Sequence, residues 1–304
     1  MSETQISEPK YEDHSKNPEE DQYLDMVRRI IDKGSREKGR NGMTRCLFGE
    51  RMEFCLDDGR LPLLTSKKVA WRTCLRELLW FISGSTSNED LRKRKVNIWN
   101  GNSTREFLDS RNLTHLEEGD LGPVYGHQWR HFNAPYTNHH TDYSGEGVDQ
   151  LSIVIDQLRN DRQSRRIVLC AWNPAQLDEM ALPPCHAFVQ FHVMEDSKLV
   201  CCLYQRSGDV GLGVPFNIAS YAFLTHLLAH HTGLNAHKLI HIIGNAHIYE
   251  SHVDALMGQI DNETRSFPKL CMGVVRDKID DYVEEDFLVS GYDGGIVVKM
   301  DMVA

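Results

Sequence analysis

The sequence predicts a single α/β domain of the α+β type, in which helices pack on a large mixed β-sheet. Strand-like and helix-like segments follow one another without the regular alternation that is typical of an all-parallel sheet. Two strand-like segments, 187–194 and 199–205, flank the polar residues 195–198, which indicates an antiparallel hairpin. No linker follows residue 21, so we expect one domain over residues 22–304.

The remaining elements are predicted from periodicity and from their stop signals. Apolar residues recur at helical spacing in four segments, 22–33, 72–83, 148–159 and 217–232. Gly34, Gly84 and Gly233 follow three of them, as expected where a helix ends. Two further segments, 46–56 and 167–172, are typical of strands.

The first 21 residues predict a disordered acidic tail. They contain seven acidic and two basic residues, which contribute about half of the net charge of −10. Such a segment buries too little apolar surface to offset the entropy of ordering it. We therefore place the boundary of the folded domain after residue 21.

Composition excludes several functional classes. A net charge of −10 argues against nucleic-acid binding over a broad basic face. No apolar run is long enough to span a bilayer, and no secretory signal is recognisable, so we expect a cytoplasmic protein without a membrane partner. None of the eight cysteines forms a C-x-x-C pair, which argues against structural zinc and fits a reducing compartment.

Cys185, in A-L-P-P-C-H at 181–186, is the first candidate for chemistry. A cysteine chosen at random is usually a buried apolar residue. Here, however, the hairpin brings Cys185 to the same end of the sheet as Arg206 on the following strand. A neighbouring guanidinium stabilises a thiolate, which is the attacking species in covalent catalysis.

A set of arginines indicates a phosphate site. Arg165, Arg166 and Arg206, with Arg40 and the hydroxyl of Ser207, could hold a phosphate monoester, because arginine binds phosphate through two parallel hydrogen bonds. Taken alone, Arg165 and Arg166 would be solvated surface residues. Neither a P-loop nor G-x-G-x-x-G is present, which disfavours triphosphates and dinucleotides.

Asn217, in V-P-F-N at 214–217, lies where a long apolar helix is expected to begin. It could be the N-cap of that helix. It could also recognise a base, because a side-chain amide offers one acceptor and one donor, which match N3–H and O4 of uracil.

Three further observations complete the local analysis. Glu77 lies within an apolar helical segment, so its carboxylate must be hydrogen-bonded or functional. His247 and Tyr249 are two apart and would face the same side of a strand. His226 and His230 have the spacing of a metal pair on a helix, but H-E-x-x-H is absent and we expect no metal.

In this order, the motifs resemble those of the thymidylate synthase family, over about residues 22–304. The most specific strings are E-G-D-L-G-P-V-Y-G-H-Q-W-R-H-F at 118–132, A-W-N-P at 171–174, A-L-P-P-C-H at 181–186, Y-Q-R-S-G-D-V-G-L-G-V-P-F-N-I-A-S-Y at 204–221 and A-H-I-Y at 246–249. The resemblance implies transfer of a methyl group to dUMP from 5,10-methylenetetrahydrofolate, which yields dTMP and dihydrofolate. It also implies a homodimer whose interface is formed by the sheet, with Arg165 and Arg166 reaching across it.

The resemblance also assigns roles to residues. Cys185 would attack C6 of the uracil ring, Arg206 would keep it ionised, and protons would be moved by Glu77, Tyr125, His186 and Asn217. The residues expected to bind dUMP are Arg40, Arg165, Arg166, Cys185, Gln205, Arg206, Ser207, Asp209, Asn217, His247 and Tyr249. The residues expected to bind folate are Trp99, Asn102, Asp209, Leu212, Gly213, Phe216, Tyr249, Met302 and Val303, the last two on a C-terminal flap.

The chain departs from the family pattern at several places. The phosphate loop is R-N-G-M-T at 40–44, so Arg45 is the alternative to Arg40. The other departures are Ala70, Asn100, Asn245, Asp293-Gly294-Gly295-Ile296 and the final V-A. None removes a catalytic group, but several touch the folate side or the flap. We therefore expect normal dUMP binding and weaker folate binding.

Three other functions remain open at this stage. A pyrimidine hydroxymethylase of the same family would use water in place of hydride. A cysteine hydrolase would pair Cys185 with His247, but would not need the arginines or Asn217. The third is a binding protein that has lost catalysis through its changes on the folate side.

Overall fold

The structure is a computed structural model that describes residues 17–39, 41–293 and 295–303. Its centre is a six-stranded sheet in the order β1-β2-β6-β5-β4-β3, in which β5 and β6 are parallel and the other neighbours are antiparallel. A separate pair, β7 and β8, is antiparallel. The strands are β1 Ser35–Gly39, β2 Gly42–Cys55, β3 Val168–Cys170, β4 His186–Met194, β5 Lys198–Asp209, β6 Asn235–Tyr249, β7 Lys269–Met272 and β8 Phe287–Ser290.

The helices pack around this sheet and form one hydrophobic core with it. They are α1 Pro18–Lys33, α2 Trp71–Ile82, α3 Asn88–Lys93, α4 Arg105–Ser110, α5 Tyr125–Arg130, α6 Gln150–Asn160, α7 Gly213–Thr232 and α8 Val253–Ile260. Helix α7 connects the parallel strands β5 and β6 and contacts both of them as well as α2. It is apolar on all sides, as expected of a helix at the centre of a core. The predicted fold class, a single domain with a mixed sheet packed by helices, is confirmed.

The hairpin between β4 and β5 is also confirmed. Glu195 and Asp196 have positive φ values of 49° and 61°, the left-handed conformation that tight hairpin turns require. Pairing continues to His186 opposite Gln205, so the beginning of β4 lies beside the end of β5.

One face of the sheet carries apolar side chains that remain exposed. Phe188 on β4 lies opposite Tyr204 on β5, and the two are 39% and 41% exposed. Along β4, Phe188 alternates with buried residues such as Val189 and Phe191, which point towards the core.

The predicted tail ends earlier than residue 21. Helix α1 begins at Pro18, and Asn17 caps it by accepting hydrogen bonds from the amides of Glu19 and Glu20. The acidic composition was misleading because Glu20 is fully buried, where it accepts hydrogen bonds from Thr65 and Ser66. Disorder of residues 1–16 stays a prediction, since they lie outside the described residues.

Several boundaries differ from those expected. Helix α7 begins at Gly213, one turn before Asn217. It ends as predicted at Thr232, and Gly233, whose φ of 70° is left-handed, caps it. Strands β1, β7 and β8, the early part of β6 and the short helices α3, α4, α5 and α8 were not predicted. No helix in the described ranges is long and apolar enough to cross a bilayer.

Candidate active site

Cys185 and Arg206 lie close together, as the hairpin predicted. Cys185 is the residue before β4, and the Arg206 amide donates to its carbonyl at 2.8 Å. The guanidinium Nη2 lies 3.7 Å from the sulfur. Hydrogen bonds to the carbonyls of Pro184 and Pro183, at 2.8 and 2.9 Å, hold the guanidinium in this position. A cation fixed beside a thiol favours its thiolate form.

Tyr125 and His186 form an aromatic wall next to the cysteine. The Cys185 amide donates to the Tyr125 hydroxyl at 2.8 Å, and the Tyr125 ring stacks on His186 with centroids 4.1 Å apart. His186 Nδ1 lies 2.7 Å from the hydroxyl of Tyr221. Burial, with a smaller contribution from His241, lowers the pKa of His186 to about 3. The imidazole is therefore neutral near pH 7.

Glu77 on α2 joins the same cluster through Trp99. The indole nitrogen of Trp99 donates to the Glu77 carboxylate at 2.6 Å, and the Trp99 ring meets Tyr125 edge-on at 6.1 Å. Burial raises the pKa of Glu77 to about 7, against the opposing effect of the Trp99 hydrogen bond. Both protonation states are thus available near neutral pH, which suits a general acid–base group. Of the two alternatives expected for this carboxylate, hydrogen-bonded or functional, the structure shows the hydrogen bond, and the functional role stays a prediction.

Asn217 is not the N-cap of α7, because the helix already begins at Gly213. Its Oδ1 accepts a hydrogen bond from Gln205 Nε2 at 2.9 Å. Gln205 Oε1 in turn lies 2.8 Å from Nε2 of His241. Burial lowers the pKa of His241 to about 3, so this ring is neutral and its Nε2–H is the donor to Gln205. The chain of hydrogen bonds therefore sets the orientation of the Asn217 amide.

His247 and Tyr249 lie on the same face of β6, as the two-residue spacing predicted. Their rings meet edge-on with centroids 5.4 Å apart. His247 is paired in register with Asp209 on β5, and Ser207 is paired with Asn245. Asn245 Oδ1 lies 3.0 Å from His247 Nδ1. Asn245, one of the departures from the family pattern, therefore contacts a residue that is predicted to bind dUMP.

Four of the predicted folate residues, Asp209, Leu212, Gly213 and Phe216, lie between the end of β5 and the first turn of α7. Leu212 and Gly213 lie where the helix begins, and Phe216 is half-buried in its first turn. Asp209 Oδ1 accepts from the Gly211 amide at 2.9 Å. Asn102 is buried in a short turn after Trp99, and its amide donates to the Trp99 carbonyl.

Two buried residues that sequence reasoning missed also contact this region. Lys67 Nζ donates to the Gly211 carbonyl at 2.5 Å, and burial lowers its pKa to about 8, with Asp209 opposing. His252 Nε2 lies 2.8 Å from the carbonyl of Asp301, which joins the C-terminal segment to this region. Neither residue has a periodic signal that could have revealed it. Met302 is exposed and Val303 half-buried.

The other predicted phosphate ligands stand apart from this cluster. Arg165 and Arg166 are exposed just before β3 and form no ion pair with any described residue. Arg40 lies outside the described residues. The alternative, Arg45, is bound to Glu250 at 3.1 and 3.2 Å and to the Ile31 carbonyl at 2.7 Å, which leaves it little capacity for phosphate.

The helical pair His226 and His230 is occupied by backbone contacts. Their Nε2 atoms each lie 2.9 Å from a carbonyl, of Arg60 and Val274 respectively. Both Nε2 atoms are therefore engaged by the backbone.

Comparison with known proteins gives a consistent result. The family model "Thymidylate synthase" matches residues 21–304. The chain is 52% identical to human thymidylate synthase over 92% of its own length and 90% of that protein. It is 50% identical to thymidylate synthase of equine herpesvirus 2, over 93% of this chain and 98% of that protein.

A longer relative matches only in part. The bifunctional dihydrofolate reductase-thymidylate synthase of Leishmania major is 50% identical over 94% of this chain, which spans 56% of that protein. The family match and the two near full-length relatives settle the classification. This chain belongs to the thymidylate synthase family of methyltransferases.

Proposed function

We propose that the cluster around Cys185 converts dUMP to dTMP with 5,10-methylenetetrahydrofolate as donor of both carbon and hydride. The thiolate adds to C6 of the uracil ring, which makes C5 nucleophilic. C5 then forms a bond to the methylene carbon of the folate as the bond from that carbon to N10 breaks. C5 loses its proton as the bond to N5 breaks, which leaves an exocyclic methylene group on the pyrimidine and frees tetrahydrofolate. Hydride transfer from the folate ring and release of the cysteine give dTMP and dihydrofolate.

The observation that carries this proposal is the separation of 3.7 Å between Arg206 Nη2 and Cys185 Sγ. It supplies an activated nucleophile at the end of the sheet. Glu77, whose pKa is raised to about 7, then exchanges protons with the pyrimidine carbonyl. Tyr125, whose hydroxyl already contacts the Cys185 amide, assists removal of the C5 proton.

Recognition of uracil falls to Asn217. Because Gln205 donates to its Oδ1, the amide nitrogen of Asn217 remains a donor for O4. The second lone pair of Oδ1 accepts N3–H. His247 and Tyr249 bind the sugar hydroxyl, and Ser207 assists Arg206 at the phosphate. Family membership favours this activity over the hydroxymethylase alternative.

We also propose a homodimer formed through the open face of the sheet. Phe188 and Tyr204 lie directly opposite each other and are both substantially exposed, which is the kind of surface a second copy covers. Arg165 and Arg166 lie next to β3 at the sheet edge, without an ion-pair partner among the described residues. In the dimer they complete the phosphate site of the other chain. Location in the cytoplasm remains a prediction from the sequence.

Folate occupies the space between Trp99 and the start of α7. Asp209, Leu212, Gly213 and Phe216 line it, and the C-terminal residues close it against water. The link between His252 and the Asp301 carbonyl supports this closing role for the end of the chain.

Release of dihydrofolate, followed by its ultraviolet absorbance, tests the reaction. We expect turnover that depends on dUMP and is lost by several orders of magnitude in Cys185→Ser, because a hydroxyl is far less ionised than a thiol. Cys271→Ser, at an exposed cysteine of β7, is the matched control and keeps activity. Equal activity in the Cys185 variant and the wild type would exclude the mechanism.

Mixing two inactive variants tests the dimer. Cys185→Ser lacks the nucleophile, and Arg166→Ala lacks an arginine that is needed only by the other chain. A mixed dimer contains one intact site, so activity returns on mixing and subunit exchange. If the mixture stays inactive although exchange is demonstrated by mass spectrometry, Arg166 does not act across an interface.

A further inference from the structure

Three side chains outside the active site bring their ligand atoms to one point. Glu117 precedes α5, whereas His139 and His140 follow it. Glu117 Oε1 lies 2.8 Å from His139 Nε2 and 2.5 Å from His140 Nε2. The two imidazole nitrogens are 3.0 Å from each other. None of the three residues contributes to the chemistry proposed above.

The backbone that carries the histidines is fixed by other groups. Buried Asp120 accepts hydrogen bonds from the His139 amide at 3.1 Å and from the Tyr136 hydroxyl at 2.6 Å. Asn138 Oδ1 accepts from the His140 amide at 2.9 Å. The convergence of the ligand atoms is therefore built into the loop.

Hydrogen bonds among these three side chains cannot satisfy all of their ligand atoms at once. If both rings donate to Glu117, two N–H groups face each other at 3.0 Å. If only one ring donates, the lone pair of the other faces a carboxylate oxygen. A cation bound by all three atoms removes both conflicts, because each ligand then presents a lone pair to it.

The burial of His139 adds a second indication. Its side chain is only 4% exposed, and its Nδ1 has no hydrogen-bond partner among the described residues. The Nε2 of this buried ring faces both the Glu117 carboxylate and the other imidazole nitrogen, so it cannot turn to solvent and gains from a strong bond to a metal ion. Glu117 and His140, by contrast, are 55% and 73% exposed on their side chains, so an ion can enter from solvent.

We propose that Glu117, His139 and His140 form a binding site for a divalent transition metal, with Zn²⁺ as the occupant. Two histidines and one glutamate are an established zinc ligand set. Tetrahedral Zn²⁺ with bonds of about 2.0–2.1 Å separates its ligand atoms by about 3.3 Å. From their present separations of 2.5, 2.8 and 3.0 Å, these atoms need to move apart by less than about 1 Å, which rotation of the exposed Glu117 and His140 side chains can supply. Water completes the coordination on the exposed side.

A bound metal ion would join the loop that follows α5, which carries His139 and His140, to the segment that precedes α5, which carries Glu117. That segment continues through Asp120 to Tyr125 at the start of α5. Because the ion binds the folded chain and no preformed site exists in the unfolded one, it raises thermal stability, by an amount that grows with the logarithm of the free ion concentration once this exceeds the Kd.

Titration of the full chain without an affinity tag tests the site. We expect one Zn²⁺ to bind per chain, and Co²⁺ to give visible bands of nitrogen and oxygen ligation without the thiolate band that a cysteine site would add. His140→Ala and Glu117→Gln each change an exposed side chain, and each weakens binding about ten-fold or more. The matched controls, His115→Ala and Glu118→Gln, change exposed neighbours and keep wild-type affinity.

Melting temperature provides the second measurement. Zn²⁺ raises it in the wild type and in both controls, and fails to raise it in His140→Ala and Glu117→Gln. Equal affinity in variants and controls, a thiolate spectrum, or no binding in the wild type each overturns the proposal. Because the two variants are independent, failure of one to fold leaves the other decisive.

Discussion

Replacing Arg206 by methionine should leave Cys185 much less ionised. The guanidinium Nη2 lies 3.7 Å from the sulfur. At about 4 Å, unit charges attract by about 1 kcal/mol in water and by about 4 kcal/mol at an effective dielectric constant of 20. Arg206 is partly exposed, so the value lies between these limits. At 1.4 kcal/mol for each factor of ten, the thiolate fraction falls roughly five-fold to a thousand-fold.

The rate at which the thiol is alkylated falls less than its thiolate fraction does. A more basic thiolate is also more nucleophilic, with a Brønsted coefficient of about 0.5. The rate of alkylation therefore falls by roughly the square root of the change in thiolate fraction, about two-fold to thirty-fold. Arg206→Lys keeps the charge but not the fork that binds the Pro183 and Pro184 carbonyls, so it should give an intermediate rate.

The assay is the initial rate of iodoacetamide labelling of the Cys185 peptide at pH 7, followed by mass spectrometry. Arg28→Met removes an exposed arginine of α1 and serves as the control with an unchanged rate. Circular dichroism verifies that each variant is folded. If folded Arg206→Met is labelled as fast as the wild type, Arg206 does not stabilise the thiolate and the reasoning fails.

Three further predictions concern proton transfer by Glu77, recognition of the pyrimidine by Asn217 and closure of the C-terminal flap near Gly211. Glu77→Gln should lower kcat roughly 10²- to 10⁴-fold and abolish an ionisation near pH 7 in the rate profile. Asn217→Asp should lower kcat/KM for dUMP and raise it for dCMP, measured by product formation, because a protonated carboxyl matches cytosine. Gly211→Ala should raise the KM for folate more than that for dUMP, since its new Cβ would lie 3.1 Å from His252 Nδ1 and 3.2 Å from Met300 Sδ.

Each of these predictions has a control. Glu89→Gln, at an exposed acid of α3, keeps activity and the wild-type pH profile. Asn235→Asp, exposed at the start of β6, leaves base preference unchanged. Gly258→Ala, where a Cβ meets nothing within 4 Å, leaves the KM for folate unchanged. A variant that behaves like its control refutes the role given to that residue.

Glu77 also links stability to pH. Burial raises its pKa from 4.5 to about 7, so the folded chain binds this proton more tightly than the unfolded chain. Stability contributed by protonated Glu77 is present below pH 4.5 and is lost as the pH rises towards 7. The free energy of unfolding of Glu77→Gln should therefore increase relative to the wild type across this interval, in urea titrations. A constant difference would contradict the raised pKa.

Local patterns predicted those parts of the site that depend on neighbouring strands. The hairpin alone was sufficient to place Cys185 beside Arg206, because antiparallel pairing returns the chain to the same end of the sheet. The spacing of His247 and Tyr249 likewise fixed their common face, because side chains alternate along a strand.

Residues that act through tertiary contacts could not be found in this way. His241 and Tyr221 lie within apolar segments, where a single polar residue gives no sign of its partner. The bond of Tyr221 to His186 depends on how α7 packs against the sheet, and the bond of His241 to Gln205 depends on the pairing of β6 with β5. Glu20 shows the converse error, since an acidic stretch predicts solvent exposure unless the distant amides that bind the carboxylate are known.

The central claim is that the sulfur of Cys185 bonds to C6 of the pyrimidine. Incubation with 5-fluoro-dUMP and 5,10-methylenetetrahydrofolate blocks the reaction before hydride transfer, because fluorine cannot leave C5 as a proton does. Mass spectrometry should then find one covalent adduct per active site, on the peptide that contains Cys185. An adduct on another of the eight cysteines, or none at all, would contradict the account.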